Sequence, residues 1–140
     1  MLDTIRDFLS QPRLAIVGVS HQPKDFSRAL FRAFRERSFD VIPVNPSAQE
    51  IEGVVCYPHV QDIRPPVETA LLMTSPAVTE QVVKDCADAG IRRVWMYRRS
   101  PAAVAFCEAH GMSVIAGECP LMFLPNTGWV HRFHGWLHGV

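Results

Sequence analysis

The sequence lacks three features that would indicate a partner or a compartment: an excess of charge of one sign, closely spaced cysteines, and a long apolar run. Its 14 basic and 14 acidic side chains cancel, so no net charge attracts nucleic acid or an anionic membrane. No two of its four cysteines are spaced like a zinc knuckle or a redox pair. No segment approaches the ~18 apolar residues of a membrane span. We therefore expect a cytoplasmic protein with reduced thiols that binds neither nucleic acid nor membrane.

Two glycine-rich nucleotide-binding motifs are also missing. No Gly-Lys-Ser or Gly-Lys-Thr step occurs, which excludes a Walker-type phosphate loop. A dinucleotide fingerprint needs three glycines as G-x-G-x-x-G and an acidic residue near the end of the second strand. Here Ser20 takes the place of the second glycine after Gly18, and the second strand ends in Val44-Asn45-Pro46 without a carboxylate. This pattern disfavours NAD and NADP, and leaves an NAD(P)-binding redox sensor only as an alternative.

What the sequence does contain is a regular alternation of apolar strands and amphipathic helices. Strands that are almost wholly apolar are typical of a parallel sheet covered on both faces. We therefore predict one Rossmann-like α/β domain over residues 1–140, with a five-stranded parallel sheet between two helical layers. The predicted strands are 14–19, 40–44, 67–73, 93–97 and 112–116; the predicted helices are 3–9, 26–37, one from 76 that ends at Gly90, 101–109, and about 127–138 as an appendage, with a short helix near 49–51 and a helical turn at 60–63.

Helical spacing also predicts which faces of two helices are buried. In the second helix, the inward positions are Leu30, Phe31 and Phe34, and the positions facing water are Arg28, Arg32, Arg35 and Glu36. In the third helix, the inward positions are Val78, Val82, Val83 and Cys86.

The segment from Leu14 to Ser20 is the most informative stretch of the chain. An apolar strand ends in Gly18 and a hydroxyl, and a loop then leads into a basic helix. Ligands bind at the carboxyl ends of parallel strands, where helix N-termini attract phosphate groups. Backbone amides around residues 25–28, the Ser20 hydroxyl, Lys24 and Arg28 could all contribute. The loop is thus predicted to hold a phosphate; the alternative is that its basic side chains are merely solvated.

Several segments together resemble the small stand-alone CoA-binding proteins, which are related to the CoA-binding domain of the succinyl-CoA synthetase α subunit. The resemblance covers about residues 10–124, and its order and spacing are more specific than any single motif. The matching segments are Val17-Gly18-Val19-Ser20, Ser27-Arg28, Val41 to Pro46, Gly53 with Tyr57, Gly90 to Met96, and Gly117-Glu118-Cys119-Pro120.

The resemblance implies that the cofactor is coenzyme A or an acyl-CoA, and it gives each matching segment a role. Gly18, Val19, Ser20 and Lys24, with Ser27 and Arg28, would hold the pyrophosphate. Asn45, Pro46 and Ser47 would border the adenosine end with its 3′-phosphate. Thr74, Ser75 and Pro76 would line the cleft where the pantetheine starts, and Met96, Tyr97 and Arg98 would contact CoA from the opposite wall. Cys119 would lie near the thiol end.

No catalytic constellation accompanies this predicted site. The sequence contains neither an evident nucleophile–base pair nor paired carboxylates at helical spacing. The synthetase relatives use a second domain with a phosphorylated histidine and a partner subunit, and these 140 residues contain neither. We therefore predict a binding module without catalytic activity.

The C-terminal segment supports a further alternative. His131, His134 and His138 would share one face of a helix and, with Cys119, could hold a metal ion in a metal-dependent enzyme. The opposite face carries apolar residues that one short helix rarely buries by itself. We favour packing of this face on the sheet edge or on a second copy as a homodimer; its residues are Trp129, Val130, Phe133, Trp136 and Leu137.

Overall fold

The computed structural model describes residues 1–125, and these form seven strands and four α-helices. The helices are α1 (Leu2–Leu9), α2 (Phe26–Glu36), α3 (Pro76–Asp88) and α4 (Pro101–Ala109). The strands are β1 (Arg13–Val17), β2 (Asp40–Val44), β3 (Glu50–Ile51), β4 (Val54–Val55), β5 (Thr69–Leu72), β6 (Arg93–Met96) and β7 (Ser113–Ala116). Short 3-10 turns cover Val60–Asp62 and Pro120–Met122.

Five strands form one parallel sheet in the order β2-β1-β5-β6-β7. The chain runs outward from β1 to β2 and then crosses back to β5 on the other side of β1. The strand order therefore reverses between β1 and β5, and in open α/β sheets such a reversal opens a crevice at the carboxyl ends of the strands. The predicted five-stranded parallel sheet is confirmed.

Helices cover both faces of this sheet, because the side chains of each strand alternate between two cores. On one face, Leu14 and Ile16 of β1 pack with α1 and α2 residues such as Phe8 and Phe31. On the other face, Ala15 of β1 packs in the same core as α3 and α4 residues, which include Val83, Cys86, Ala103 and Cys107. All of these side chains are buried, so the three-layer expectation is confirmed.

A hairpin replaces the short helix that was predicted near residues 49–51. Strands β3 and β4 pair antiparallel, with Glu50 opposite Val55 and Ile51 opposite Val54. Glu52 and Gly53 between them both have positive φ, at 49° and 82°, the backbone of a two-residue hairpin turn. Ile51 is buried in the core. The helix prediction was therefore wrong, because turn geometry and burial outweigh the capping signal.

Two side-chain orientations also differ from the helical-face predictions. Val78 is 52% exposed, although Val83 and Cys86 of the same helix are fully buried. Arg28 was predicted to face water but is only 7% exposed, because an acidic partner on the β3–β4 hairpin binds it (below). Leu30, Phe31 and Phe34 face the core as predicted.

The predicted final helix and its three histidines lie outside the described residues. Within residues 1–125, no helix is long and apolar enough to cross a membrane. The four cysteines are free thiols in this structure.

Candidate functional site: a loop and a cleft at the carboxyl edge of the sheet

Gly18 marks the point where β1 turns into the predicted phosphate loop. Its φ of +90° is rarely adopted by residues with a side chain, and a Cβ there would lie 3.2 Å from Thr74 Cγ2 and 3.4 Å from the carbonyl carbon of Met73. Its amide donates to the carbonyl of Val44 at the end of β2 (2.9 Å). Gly18 therefore allows the ends of β1, β2 and β5 to meet closely.

Ser20 is held by α2 through both of its backbone groups. Its amide donates to the Ser27 hydroxyl (2.9 Å), and its carbonyl accepts from Arg28 Nη1 (3.2 Å). Ser27 and Arg28 are both buried. Their side chains thus hold the Ser20 backbone from the side of α2. Arg28 is not the freely exposed cation expected from sequence.

Asp25 caps the N-terminus of α2. Its Oδ2 accepts from the Ser27 amide (2.9 Å) and the Ser27 hydroxyl (2.6 Å). These hydrogen bonds, with a smaller contribution from the charge of Arg98, hold the pKa of Asp25 below its ordinary value. The amides of Arg28 and Ala29 bond to the Asp25 carbonyl. Of the amides at 25–28 that were predicted to contribute, those of Asp25, Ser27 and Arg28 already have acceptors in the loop or at the helix terminus, and within residues 1–125 only that of Phe26 has none.

Free donors remain earlier in the loop. The Gln22 amide bonds to the Ser20 hydroxyl (3.0 Å), and the Asp25 amide bonds to the Gln22 carbonyl (3.0 Å). Within residues 1–125, the amides of His21, Lys24 and Phe26 have no hydrogen-bond acceptor. All three residues are exposed, so these amides and the Lys24 ammonium are donors that the loop and the start of α2 can present to solvent.

Asn45 connects the end of β2 to this loop. Its Nδ2 donates to the carbonyl of Val19 (2.7 Å), and its Oδ1 accepts from the amide of Ser47 (2.7 Å). Pro46 lies beside the cleft described below. The Asn45-Pro46-Ser47 turn is thus brought against the loop.

The end of β5 forms the facing side. The hydroxyls of Thr74 and Thr79 are 2.6 Å apart. Ser75 caps α3 by accepting from the Val78 amide at 3.5 Å, and Pro76 begins that helix. Thr74 therefore borders Gly18, whereas the Ser75 hydroxyl faces its own helix.

Of the three residues predicted at the end of β6, Met96 is the last residue of the strand, and Tyr97 and Arg98 follow it. The ring of Tyr97 packs on Phe26 with centroids 5.4 Å apart. Arg98 lies over the Tyr97 ring and donates from Nη1 to the carbonyl of Met73 (2.9 Å). The Met96 side chain is fully buried in the core. It offers no surface to a ligand, and the Met96 carbonyl accepts from the Gly117 amide (3.0 Å), so the structure does not support the contact predicted for Met96.

Cys119 follows β7 and begins the 3-10 turn Pro120–Met122, which contacts α2. The adjacent carbonyl of Glu118 accepts from the indole of Trp95 in β6 (2.8 Å), so the segment after β7 folds back over the sheet face that α2 covers. The predicted place of Cys119 near the thiol end of CoA stays a prediction. Within residues 1–125, no cluster of His, Cys, Asp and Glu could hold a metal ion.

A cleft of about 230 Å³ opens between the carboxyl ends of β1, β2 and β5 and the helix α3. Its walls are mainly apolar, with a few polar groups at the rim. The lining residues are Val17, Gly18, Val44, Pro46, Pro58, His59, Val60, Thr74, Val78, Gln81, Val82 and Asp85. Only Gly18, Pro46 and Thr74 of these were singled out from sequence.

The missed residues had one readable signal. Val78, Gln81, Val82 and Asp85 follow the i, i+3, i+4, i+7 spacing of one helix face. That face looks into the cleft, which explains why Val78 is exposed. Gln81 Nε2 donates to Asp85 Oδ1 (3.1 Å). His59 and Val60 gave no signal, because only the chain path after β4 brings them to the cleft.

Comparison with known proteins shows the family to which the chain belongs. The CoA-binding domain family matches residues 12–125, so the chain belongs to that family. It is 25% identical over 127 residues to the alpha subunit of ADP-forming acetate–CoA ligase II of Pyrococcus furiosus, covering 81% of this chain and 28% of that protein. The chain thus spans little more than a quarter of that relative's length. The resemblance read from the sequence is confirmed, and the family supports coenzyme A as the cofactor.

Two of the solved structures to which the chain is similar differ in length. A hypothetical protein from Pyrococcus horikoshii OT3 has a TM-score of 0.82 and 28% identity, covering 87% of this chain and 88% of that one. The dinucleotide-forming acetyl-coenzyme A synthetase 1 of Candidatus Korarchaeum cryptofilum, in complex with phosphate and ADP, has a TM-score of 0.72 and 27% identity. The match covers 84% of this chain and 28% of that one. The same domain therefore occurs alone and inside a larger chain.

The Asp25 cap makes a testable prediction about stability and pH. Asp25→Ala should lower the free energy of unfolding by about 1 kcal/mol at neutral pH, as loss of an N-cap usually does. Because the folded pKa lies below the unfolded one, this stabilisation is present above the unfolded value of 3.8 and is lost as the pH falls through the folded pKa. Urea denaturation at neutral and acidic pH measures both parts.

Asp25→Ser is the matched control, because serine keeps a capping oxygen without a titrating charge. It should retain most of the stability at neutral pH. It should also lack the loss of stability in acid that the titration of Asp25 causes in wild type. An equal loss in both variants at every pH would mean that the cap does not stabilise α2.

Proposed function

We propose that this protein is a binding module for coenzyme A or an acyl-CoA, and that the loop after β1 holds the pyrophosphate. The observation that carries the proposal is the placement of loop and cleft together at the point where the strand order reverses. Gly18 and Thr74 come from the two strands that flank this reversal, and both line the cleft. This is where open α/β sheets bind their ligands.

The donors on the loop suit a polyanion. The solvent-facing amides of His21 and Lys24 and the Lys24 ammonium can bond phosphate oxygens. Arg98, across from the Asp25 carboxylate, adds a second cation at the same edge. Because Asp25 is ionised and caps α2, a phosphate would bind to the loop side of the helix terminus, away from that carboxylate.

The cleft suits the adenosine end. Flat apolar walls from Val17, Pro46, Val60 and Val82 can cover the faces of a purine, and Gln81 offers hydrogen-bonding groups at the rim. The Asn45-Pro46-Ser47 turn, which was predicted to border the adenosine, lies between this cleft and the loop. The pantetheine arm would then extend past Thr74 toward Tyr97 and Arg98.

A binding role also fits the chemistry of the buried cysteines. Burial raises the pKa of Cys56 and Cys86, and raises that of Cys107 to about 11. Thiols with raised pKa are poor nucleophiles at neutral pH, so these three cysteines are unsuited to covalent catalysis. We propose that the domain holds CoA without transforming it. The homodimer and the metal-dependent alternative both depend on residues beyond 125 and stay predictions.

A thermal-shift titration with CoA, acetyl-CoA, NAD and ADP side by side tests this proposal. A ligand at 100 times its dissociation constant adds about 2.7 kcal/mol to the free energy of unfolding. That corresponds to a rise in melting temperature of roughly 5–10 °C for a domain of this size. We expect the largest rise with CoA or acetyl-CoA, a smaller one with ADP, and none with NAD.

The order of the ligands decides between the functions. A rise with NAD but not with CoA would support the redox-sensor alternative and contradict the proposal. The absence of any rise at millimolar CoA would also contradict it.

A further inference from the structure

Glu52 breaks a local sequence preference in the β3–β4 hairpin. Two-residue turns in which both residues have positive φ favour Asn or Asp followed by Gly. Here the turn is Glu52-Gly53, and Glu52 has a φ of +49°. A residue held in an unfavourable backbone region requires compensating contacts, and such residues concentrate at functional sites.

The compensating contacts are ion pairs with α2. The Glu52 Oε2 atom accepts from Arg28 Nη2 (2.8 Å), Arg28 Nε (3.0 Å) and Arg32 Nε (2.8 Å). Arg35 Nη1 reaches the Glu52 carbonyl at 3.4 Å. The side chains of Arg28 and Glu52 are only 9% and 25% exposed, so solvent screens this pair weakly.

Arg28 extends the connection to the predicted phosphate loop. While Nε and Nη2 bind Glu52, the remaining Nη1 donates to the carbonyl of Ser20. The Ser20 amide is fixed separately by Ser27. The peptide groups on both sides of Ser20 are therefore oriented, and the one that follows Ser20 includes the solvent-facing amide of His21.

We infer that Glu52 is a positioning residue for phosphate binding, acting through Arg28 on the Ser20–His21 peptide. The inference rests on the proposed function, because it assigns a role toward the phosphate that this loop is proposed to hold. Glu52 also engages two nitrogens of Arg28 and so directs that side chain to the loop backbone. Because Arg28 is occupied in this way, the phosphate would be bound by the loop amides and Lys24.

The two possible roles of Glu52, as a negative charge alone or as a positioning residue, predict opposite changes in CoA affinity when its charge is removed. If Glu52 were only a negative charge near an anion site, its removal would tighten CoA binding. If it positions Arg28, its removal frees the Ser20–His21 peptide and weakens binding. Calorimetric titration of CoA into wild type, Glu52→Gln and Glu52→Asn measures whether the CoA affinity rises or falls. Glu50→Gln removes the same charge from the same hairpin at an exposed position and is the matched control.

We expect CoA affinity to fall about tenfold in Glu52→Gln and Glu52→Asn, the effect of losing one charge-assisted hydrogen bond, and to be unchanged in Glu50→Gln. Asparagine is favoured in this turn, so Glu52→Asn preserves the hairpin and separates positioning from folding. Equal or tighter CoA binding by Glu52→Asn, with its melting temperature maintained, would overturn the inference. If wild type itself bound no CoA, the proposed function would fail instead.

Discussion

Gly18→Ala is expected to weaken CoA binding by about tenfold or more, equivalent to at least about 1.4 kcal/mol, and to destabilise the fold. A left-handed backbone costs an alanine roughly 1–2 kcal/mol. The added Cβ would also lie 3.2 Å from Thr74 Cγ2 and close to the Met73 backbone. Because Gly18 and Thr74 both line the cleft, the adjustment that relieves this contact changes the site itself. Calorimetric titration with CoA and urea denaturation measure the two effects.

Gly90→Ala is the matched control for backbone strain. Gly90 has a similar φ of +82°, but a Cβ there would have no neighbour within 4 Å, and the residue lies after α3, away from the cleft. It should destabilise the protein through strain alone and leave CoA affinity unchanged. If Gly18→Ala and Gly90→Ala bound CoA equally well, the close approach of β1 and β5 would have no part in binding.

The largest effect on stability is expected for Trp95→Ala, about 3–5 kcal/mol, as for other buried aromatic truncations. Trp95 is fully buried in β6. Its ring packs edge-on against Phe8 of α1 (5.2 Å between centroids) and against Phe123 (6.0 Å). Its indole N–H also bonds to the Glu118 carbonyl. The free energy of unfolding of a domain of this size is about 5–15 kcal/mol in total, so urea denaturation should show that the Trp95→Ala variant is only marginally folded.

Trp95→Phe separates packing from the hydrogen bond. Phenylalanine retains part of the ring packing but leaves the Glu118 carbonyl without its donor, which costs about 1–3 kcal/mol if that carbonyl stays buried. The free energy of unfolding of Trp95→Phe should therefore lie between that of wild type and that of Trp95→Ala. Equal stability of Trp95→Phe and wild type would indicate that water replaces the indole at Glu118.

The fold was predictable because the spacing of apolar residues along the sequence indicates which positions are buried. Each strand of the parallel sheet is apolar on both faces, and the strands found at 40–44 and 93–96 differ from prediction by at most one residue. The β3–β4 hairpin was missed because its strands have only two residues each, too few for a period. Its turn also contains a glutamate where asparagine is usual, so the common hairpin signal was absent.

The site was predictable only where local sequence determines it. The loop after β1 follows from a strand end, Gly18 and a helix start, all readable along the chain. The role of Arg28 could not be read in this way, because its partner Glu52 is 24 residues away and binds it only after the hairpin folds back. The cleft wall at His59 and Val60 likewise depends on tertiary placement.

A crystal structure of the protein with bound CoA would show whether the loop and the cleft form the CoA site. We expect the pyrophosphate within hydrogen-bond distance of the His21 and Lys24 amides, and the adenine in the cleft between Pro46, Val60 and Val82. The Arg28–Glu52 ion pair should remain intact in that complex. CoA bound at another edge of the sheet would rule out the proposed site, and phosphates contacting Arg28 in place of the loop amides would rule out the positioning role of the Arg28–Glu52 pair.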